Sequence, residues 1–277
     1  MSDNRYYVLL LCKDTNPADF NSIFVPFMTM LLPFINEQFG GAIWRMEIDS
    51  LTDTVNLEIR TTDKQVSFAS IDLTDRKINF KDYTTPERWL TGMEAAYNGI
   101  LLLHNYQSEN APVHKGVIAV DRNGEIAWSN YTYAFDHLSA NGPVLYHTQI
   151  QPRKLFLADV KTGAVIRQFD QNIDREAENY IIAPQMLNDG DPGFSLPANP
   201  YGNIVHSLDY NTFRIVSLHT FITGQLKQHL YIMNETGPVY EDLLNADIQK
   251  MQPESFILYK NWLVYIKNKS ELKVINL

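Results

Sequence analysis

The sequence predicts an all-β fold, a single small β-propeller of about five four-stranded blades. Two observations predict it: one strand–turn–strand unit with Asp or Asn at the start of its turn occurs four times, and a second unit with Asn in its turn also occurs four times. The composition agrees, because 45% of the 277 residues are hydrophobic and 20% are charged, as in ordinary soluble globular proteins.

The first repeated unit is a hairpin that we assign to strands c and d of each blade. Its turns begin directly after apolar strands, at Asp72, Asp121, Asp159 and Asn234. An Asp or Asn side chain can accept hydrogen bonds from the amides of its own turn, which favours these residues at the first position. Glycine follows in three of the four turns, because that position requires a positive φ angle.

The second repeated unit is the hairpin between strands a and b, with turns at Asn98, Asn141, Asn211 and Asn261. Asn98 and Asn141 are each followed by glycine, and an Asn-Gly pair between apolar runs is the strongest short-range signal for a hairpin. These two turns are about 43 residues apart, which is a usual length for one propeller blade. The two hairpins together supply the four strands a, b, c and d.

The blades are predicted at about residues 42–81, 88–130, 131–170, 203–243 and 254–277, after an N-terminal segment of residues 1–41. The last blade ends after its third strand, so ring closure requires an outer strand from residues 33–40 or 6–12. Residues 171–202 form a long insertion with loop-type sequences rich in Asn, Asp, Gly and Pro. This insertion is expected to be either a lid or a cover for the edge of one blade.

The hairpin sequence Ala-Asp-Val-Lys-Thr-Gly at residues 158–163 resembles the repeat of quinoprotein-type propellers, which are PQQ-like and WD40-like. Residues 43–45 and 114–121 are similar to an uncharacterised bacterial propeller family of unknown function. The resemblance covers residues 40–277 and implies a fold without an activity. No quinone or other cofactor is expected, because quinoprotein dehydrogenases have larger rings and many contain adjacent cysteines, whereas Cys12 is the only cysteine here.

One basic or titratable residue ends strand b of every predicted blade: Arg60, His104, His147, His219 and Lys267. In a propeller the b–c and d–a loops share one face, so these side chains are expected around a common rim. They are either ordinary polar strand ends or a basic collar that binds an anion through charge-assisted hydrogen bonds. His114, in the long b–c loop of the second blade, can approach His104. No metal site is expected, because the sequence indicates no third ligand for this pair.

Strand a of each blade lines the central channel, where Glu94 and Asp136 are the acids of interest. Five-bladed glycosidases have paired carboxylates in this inner ring, so a hydrolase using Glu94 and Asp136 is the alternative function. It requires two carboxyl groups about 5–9 Å apart in an open cavity. The main interpretation is a non-catalytic propeller that binds a protein partner or an anionic small molecule on the face of the b–c and d–a loops.

Charge and apolar patterning limit the partners and the location. The net charge of −9 argues against nucleic acid, which usually requires a basic surface. The apolar run at residues 23–34 is too short to span a membrane and contains two prolines. We therefore expect a cytoplasmic protein without membrane or nucleic-acid partners. The four tryptophans are expected to pack between blades: Trp44, Trp89, Trp128 and Trp262.

Overall fold

The computed structural model describes residues 31–87, 89–108, 110–178, 180–187, 194–252 and 256–277. These residues form five antiparallel sheets of four or five strands, which follow one another along the chain as blades 1 to 5. One short 3-10 turn, Tyr201–Asn203, is the only helical element within these ranges. The prediction of an all-β propeller with five blades is confirmed.

The described part begins with β1 (Ile35–Gln38), and the first three blades contain four strands each. Blade 1 consists of β2 (Ala42–Asp49), β3 (Thr54–Arg60), β4 (Val66–Asp72) and β5 (Lys77–Tyr83). Blade 2 consists of β6 (Thr91–Tyr97), β7 (Ile100–Ser108), β8 (Ala111–Val120) and β9 (Ile126–Asn130). Blade 3 consists of β10 (Tyr133–Ser139), β11 (Gly142–His147), β12 (Leu155–Ala158) and β13 (Val165–Gln168).

The last two blades contain five strands each, because the insertion adds a short inner strand to both. These inner strands are β14 (Ile181–Ile182) and β15 (Gln185–Leu187). Blade 4 consists of β15, β16 (Val205–Tyr210), β17 (Phe213–Ile222), β18 (Gln225–Asn234) and β19 (Gly237–Ile248). Blade 5 consists of β14, β20 (Phe256–Tyr259), β21 (Trp262–Lys267), β22 (Glu271–Asn276) and β1.

The turns have the chemistry that defined the repeats. Oδ1 of Asp72 accepts hydrogen bonds from the amides of Thr74 and Asp75, and Asp159 does the same for two amides of its own turn. Asn98 has a φ angle of 51° and Gly99 one of 80°, the left-handed conformations that a tight hairpin requires. Both repeated hairpins therefore follow from local backbone preference.

Residues near the start of the described chain supply the outer strand of the last blade. β1 pairs antiparallel with β22, and Ile35 lies opposite Val274. The Phe34 amide donates a hydrogen bond to the Val274 carbonyl at 2.9 Å. Ile35 and Phe39 are buried in the apolar cluster that blades 5 and 1 share. The prediction of a closing strand in residues 33–40 is thus confirmed, and the alternative at residues 6–12 lies outside the described residues.

Apolar clusters join blade 1 to blade 2, blade 2 to blade 3, and blade 4 to blade 5. The insertion contacts both blade 3 and blade 4. Phe194 and Leu196 pack against the buried face of blade 4, and Asp174 bonds to Arg167 and Asn141 of blade 3. β14 pairs with β20 and β15 with β16, so the insertion contributes the innermost strand of two blades.

Candidate functional site

The innermost strands of blades 1, 2 and 3 each contain one β-bulge. The pairing register shifts between Ile43 and Arg45, between Met93 and Ala95, and between Phe135 and His137. The extra residues at these three points are Trp44, Glu94 and Asp136. A bulge interrupts the strict alternation of side chains and redirects the extra residue, and bulges are common beside functional sites.

In blade 2 the bulge brings Glu94 to two histidines on the neighbouring strands. Oε1 of Glu94 lies 2.7 Å from Nδ1 of His114 and 3.1 Å from Nδ1 of His104. The two imidazole rings are stacked, with centroids 3.6 Å apart and planes only 8° apart. Glu94 and His104 are buried, whereas the His114 side chain is 37% exposed. The cluster therefore has one open side, at His114.

The surroundings of this cluster hold His104 in place. A Cβ atom on Gly92 would lie 2.9 Å from Nε2 of His104 and 3.4 Å from Oε2 of Glu58, so only glycine leaves space for the ring. Oε2 of Glu58 accepts a hydrogen bond from the Met93 amide at 2.7 Å. Arg45 donates to the carbonyl oxygens of Met93 and Glu94, which fixes the bulged backbone on which the site depends.

We use the name loop face for the side of the propeller that carries the b–c loops of blade 1 (residues 61–65) and blade 3 (residues 148–154). Arg60, His147 and Lys267 are the last residues of their b strands, as predicted, whereas His104 and His219 lie inside β7 and β17. Arg60 binds Glu58 at 2.6 Å, and Lys267 binds Asp242 at 2.6 Å. Nδ1 of His147 accepts a hydrogen bond from the Gln149 amide.

His104 and His219 do not face solvent, since they are only 2% and 1% exposed. Nε2 of His219 accepts a hydrogen bond from the Gln252 amide at 3.0 Å. Burial lowers the pKa of His219 to about 4, with smaller contributions from the charges of His206 and His229. The expectation that strand b ends at a common rim with these two histidines is wrong, because β7 continues to Ser108 and β17 to Ile222.

The two acids of the hydrolase alternative are each paired with basic groups. Glu94 contacts His104 and His114, as described above, while Asp136 lies 2.8 Å from Nδ1 of His137 and 3.1 Å from Arg153. The geometry therefore gives no support to Glu94 and Asp136 as an acid–nucleophile pair.

Trp44 departs from the prediction that all tryptophans pack between blades. Trp128 donates its indole N–H to the Val160 carbonyl of blade 3, and Trp89 and Trp262 pack against apolar clusters, as expected. The Trp44 side chain is 70% exposed, and the Arg60 guanidinium lies 5.5 Å from its ring centroid. Trp44 lies in β2, and the next residue of that strand, Arg45, donates a hydrogen bond to the Glu94 carbonyl.

A cavity of about 740 Å³ is lined by residues 245–250, Gln252, Asn268 and Lys269. The Lys269 carbonyl accepts a hydrogen bond from the Ile43 amide, so this cavity lies near the strand that carries Trp44. A second cavity of about 600 Å³ is lined by Glu47, His137, Tyr259 and residues 174–178 of the insertion. A third of about 570 Å³ is lined by Phe194 and by the turns of blade 4. Trp44 and Arg60 themselves line none of these three cavities. In the described residues no helix is long and apolar enough to cross a membrane.

Comparison with known proteins finds one matching family model and several solved structures of similar fold. Residues 48–128 match the model of a domain of unknown function, DUF4905. BamB from Moraxella catarrhalis is 9% identical, with 84% of each chain covered and a TM-score of 0.32. The WD40 domain of SCAP from fission yeast is 9% identical, with 87% of this chain and 62% of that chain covered and a TM-score of 0.25. No curated protein sequence matches.

Proposed function

We propose that this protein is a non-catalytic binding propeller and that a partner protein docks on its loop face, above blades 1 and 2. The observation that carries this proposal is the exposed Trp44 beside Arg60. Tryptophan and arginine are the residue types most enriched among those that dominate the energy of protein–protein binding. An indole that remains 70% exposed leaves a large apolar surface in water, which a partner can cover.

A protein fits this surface better than a small molecule does. Small-molecule sites are usually concave, with volumes of about 300–1,000 Å³, whereas Trp44 and Arg60 line none of the three cavities of that size described above. The bulge at Trp44 is held in position, because the following residue, Arg45, bonds to two carbonyl oxygens of blade 2. A backbone fixed in this way loses little conformational freedom on binding.

The partner is expected to present a carboxylate beside an apolar side chain. Glu58 engages Nε and Nη2 of Arg60 through one oxygen, at 2.6 Å each. Arginine has five N–H donors, so the donors of Nη1 are available to an acidic group of the partner. The apolar neighbour of that group would cover the Trp44 ring.

A display library of short peptides, selected on the immobilised full chain, tests this function. Bound peptides are expected to contain Asp or Glu next to an aliphatic residue and to protect Trp44 from iodide quenching. Trp44→Ala should weaken their binding by about thirtyfold, the effect of a 2 kcal/mol hot spot. Phe221→Ala, which removes another exposed aromatic side chain on blade 4, is the matched control. Equal binding by the parent and by Trp44→Ala would contradict the proposal.

A further inference from the structure

Three side chains that can bind a metal ion converge in blade 2. Glu94 on β6, His104 on β7 and His114 on β8 each offer a ligand atom, and these atoms all lie within 4.8 Å of one another. The β7–β8 hairpin places the two histidines on neighbouring strands, where His114 pairs with Tyr106 and the register shifts at His104. The bulge in β6 adds the carboxylate. One carboxylate oxygen and two imidazole nitrogens form a ligand set that suits ions of the zinc class.

The hydrogen bonding of His104 is the second observation that points to a ligand. Its ring is 98% buried, and neither ring nitrogen makes a hydrogen bond of acceptable geometry, although Nδ1 lies 3.1 Å from Glu94. A buried polar group without a partner is costly, and such groups are retained where they serve a function. A metal ion bound to Nδ1 would satisfy this nitrogen.

The present separations are close to those that an ion requires. Zinc bonds of about 2.0–2.1 Å in a tetrahedral arrangement place neighbouring ligand atoms about 3.3 Å apart. Glu94 Oε1 is now 2.7 Å and 3.1 Å from the two Nδ1 atoms, so these separations need to grow by about 0.6 Å and about 0.2 Å. Three protein ligands also leave a fourth position for water or an anionic oxygen, on the side where His114 is exposed.

Metal binding also requires one imidazole to turn. A nitrogen coordinates in the plane of its ring, so two rings whose planes are only 8° apart cannot direct both Nδ1 lone pairs at the same ion. His114 is the ring that can rotate, because its side chain is 37% exposed, whereas His104 is enclosed above Gly92. Binding should therefore break the stack between these two rings.

We propose that Glu94, His104 and His114 bind one divalent transition-metal ion, and that Zn²⁺ is the ion their chemistry fits best. The site stands on different residues from the proposed docking surface at Trp44. Its existence is therefore independent of whether a partner protein binds there. The bound ion would carry positive charge and would have one open coordination position, on the side of blade 2 where His114 is exposed.

Titration of the chelator-treated, tag-free full chain with Zn²⁺ tests the site. Calorimetry should show one Zn²⁺ ion bound per chain, and Co²⁺ should give the visible absorption of a tetrahedral N/O site. His114→Gln should weaken Zn²⁺ binding at least about tenfold. His147→Gln, another partly exposed histidine of the loop face, and Cys12→Ser should bind as the parent does.

The same titration followed by NMR uses the parent protein alone, so its result does not depend on whether His114→Gln folds. In the parent, the Cε1–Hε1 signals of His104 and His114 should shift together on addition of one equivalent of Zn²⁺, while that of His147 stays in place. Absence of saturable binding, or equal affinity in the parent and His114→Gln, would overturn the proposal. Shifts of His147 without shifts of His104 would also overturn it.

Discussion

Lowering the pH from 7 to 5 should destabilise this protein through His219. The imidazole is buried, and burial lowers its pKa to about 4 from the value of about 6.5 expected in the unfolded chain. The folded state therefore resists protonation that the unfolded state accepts. The stability that depends on a neutral His219 is fully present above about pH 6.5 and is lost as the pH falls toward 4.

The size of the effect follows from this pKa difference. At about 1.36 kcal/mol per unit of pKa, the complete loss is about 3 kcal/mol, of which about 2 kcal/mol occurs by pH 5. Urea unfolding at several pH values measures it in the parent and in His219→Gln. Glutamine keeps an acceptor for the Gln252 amide but does not titrate.

The comparison is between slopes, because the substitution itself can lower stability at every pH. Between pH 7 and 5 the parent should lose about 2 kcal/mol more than His219→Gln does. Two parallel pH profiles, or an NMR titration that places the pKa of His219 near 6.5, would refute the argument from burial.

Two further predictions concern closure and the insertion. Ile35→Ala should lower the free energy of unfolding by about 2–3 kcal/mol and remove hydrogen-exchange protection from β22, whereas the exposed Asn36→Ala should change little. Unchanged exchange in β22 would contradict closure by β1. Asp174 binds Arg167 and Asn141, which holds its pKa well below the usual range, so Asp174→Asn should make residues 171–187 sensitive to limited proteolysis at pH 7. Equal cleavage of parent and variant would show that this carboxylate does not anchor the insertion.

The architecture could be predicted because each blade is defined by its turns. Asp72 and Asp159 bond to their own turn amides, and Asn98 adopts a positive φ angle, all through interactions within a few residues of sequence. Such local preferences are visible without knowledge of the packed molecule. The closing strand could be predicted because only three strands of the last blade come after residue 255, so a fourth had to come from elsewhere in the chain.

The cluster in blade 2 could not be predicted, because a bulge changes the register. Continuing the pairing outward from Tyr97 and Ile100 would place Met93 opposite His104 and turn Glu94 to the other side of the sheet. The bulge instead places Gly92 opposite His104 and brings Glu94 to that ring. No turn signal marks the extra residue. Gly92, which leaves space for the imidazole, is the one sequence feature that could have suggested a close approach.

The collar was only partly predictable for a related reason. Strand ends were expected to reach solvent, but in blade 4 the strands β17 and β18 run on for ten residues each, and His219 lies within that longer hairpin. Its neighbours then bury it. How far β17 continues past His219 depends on tertiary contacts, which the local pattern of residues 213–219 does not reveal.

The central claim is that a partner covers the loop face at Trp44, and radical footprinting in an extract of the source cells tests it most directly. Oxidation of Trp44 should be several-fold slower in the extract than in buffer, whereas Phe221 and Ile126, which are also exposed, should react equally in both. Adding excess Trp44→Ala protein should leave that protection intact, while excess parent protein should abolish it by competition. Equal oxidation of Trp44 in extract and buffer would contradict the account.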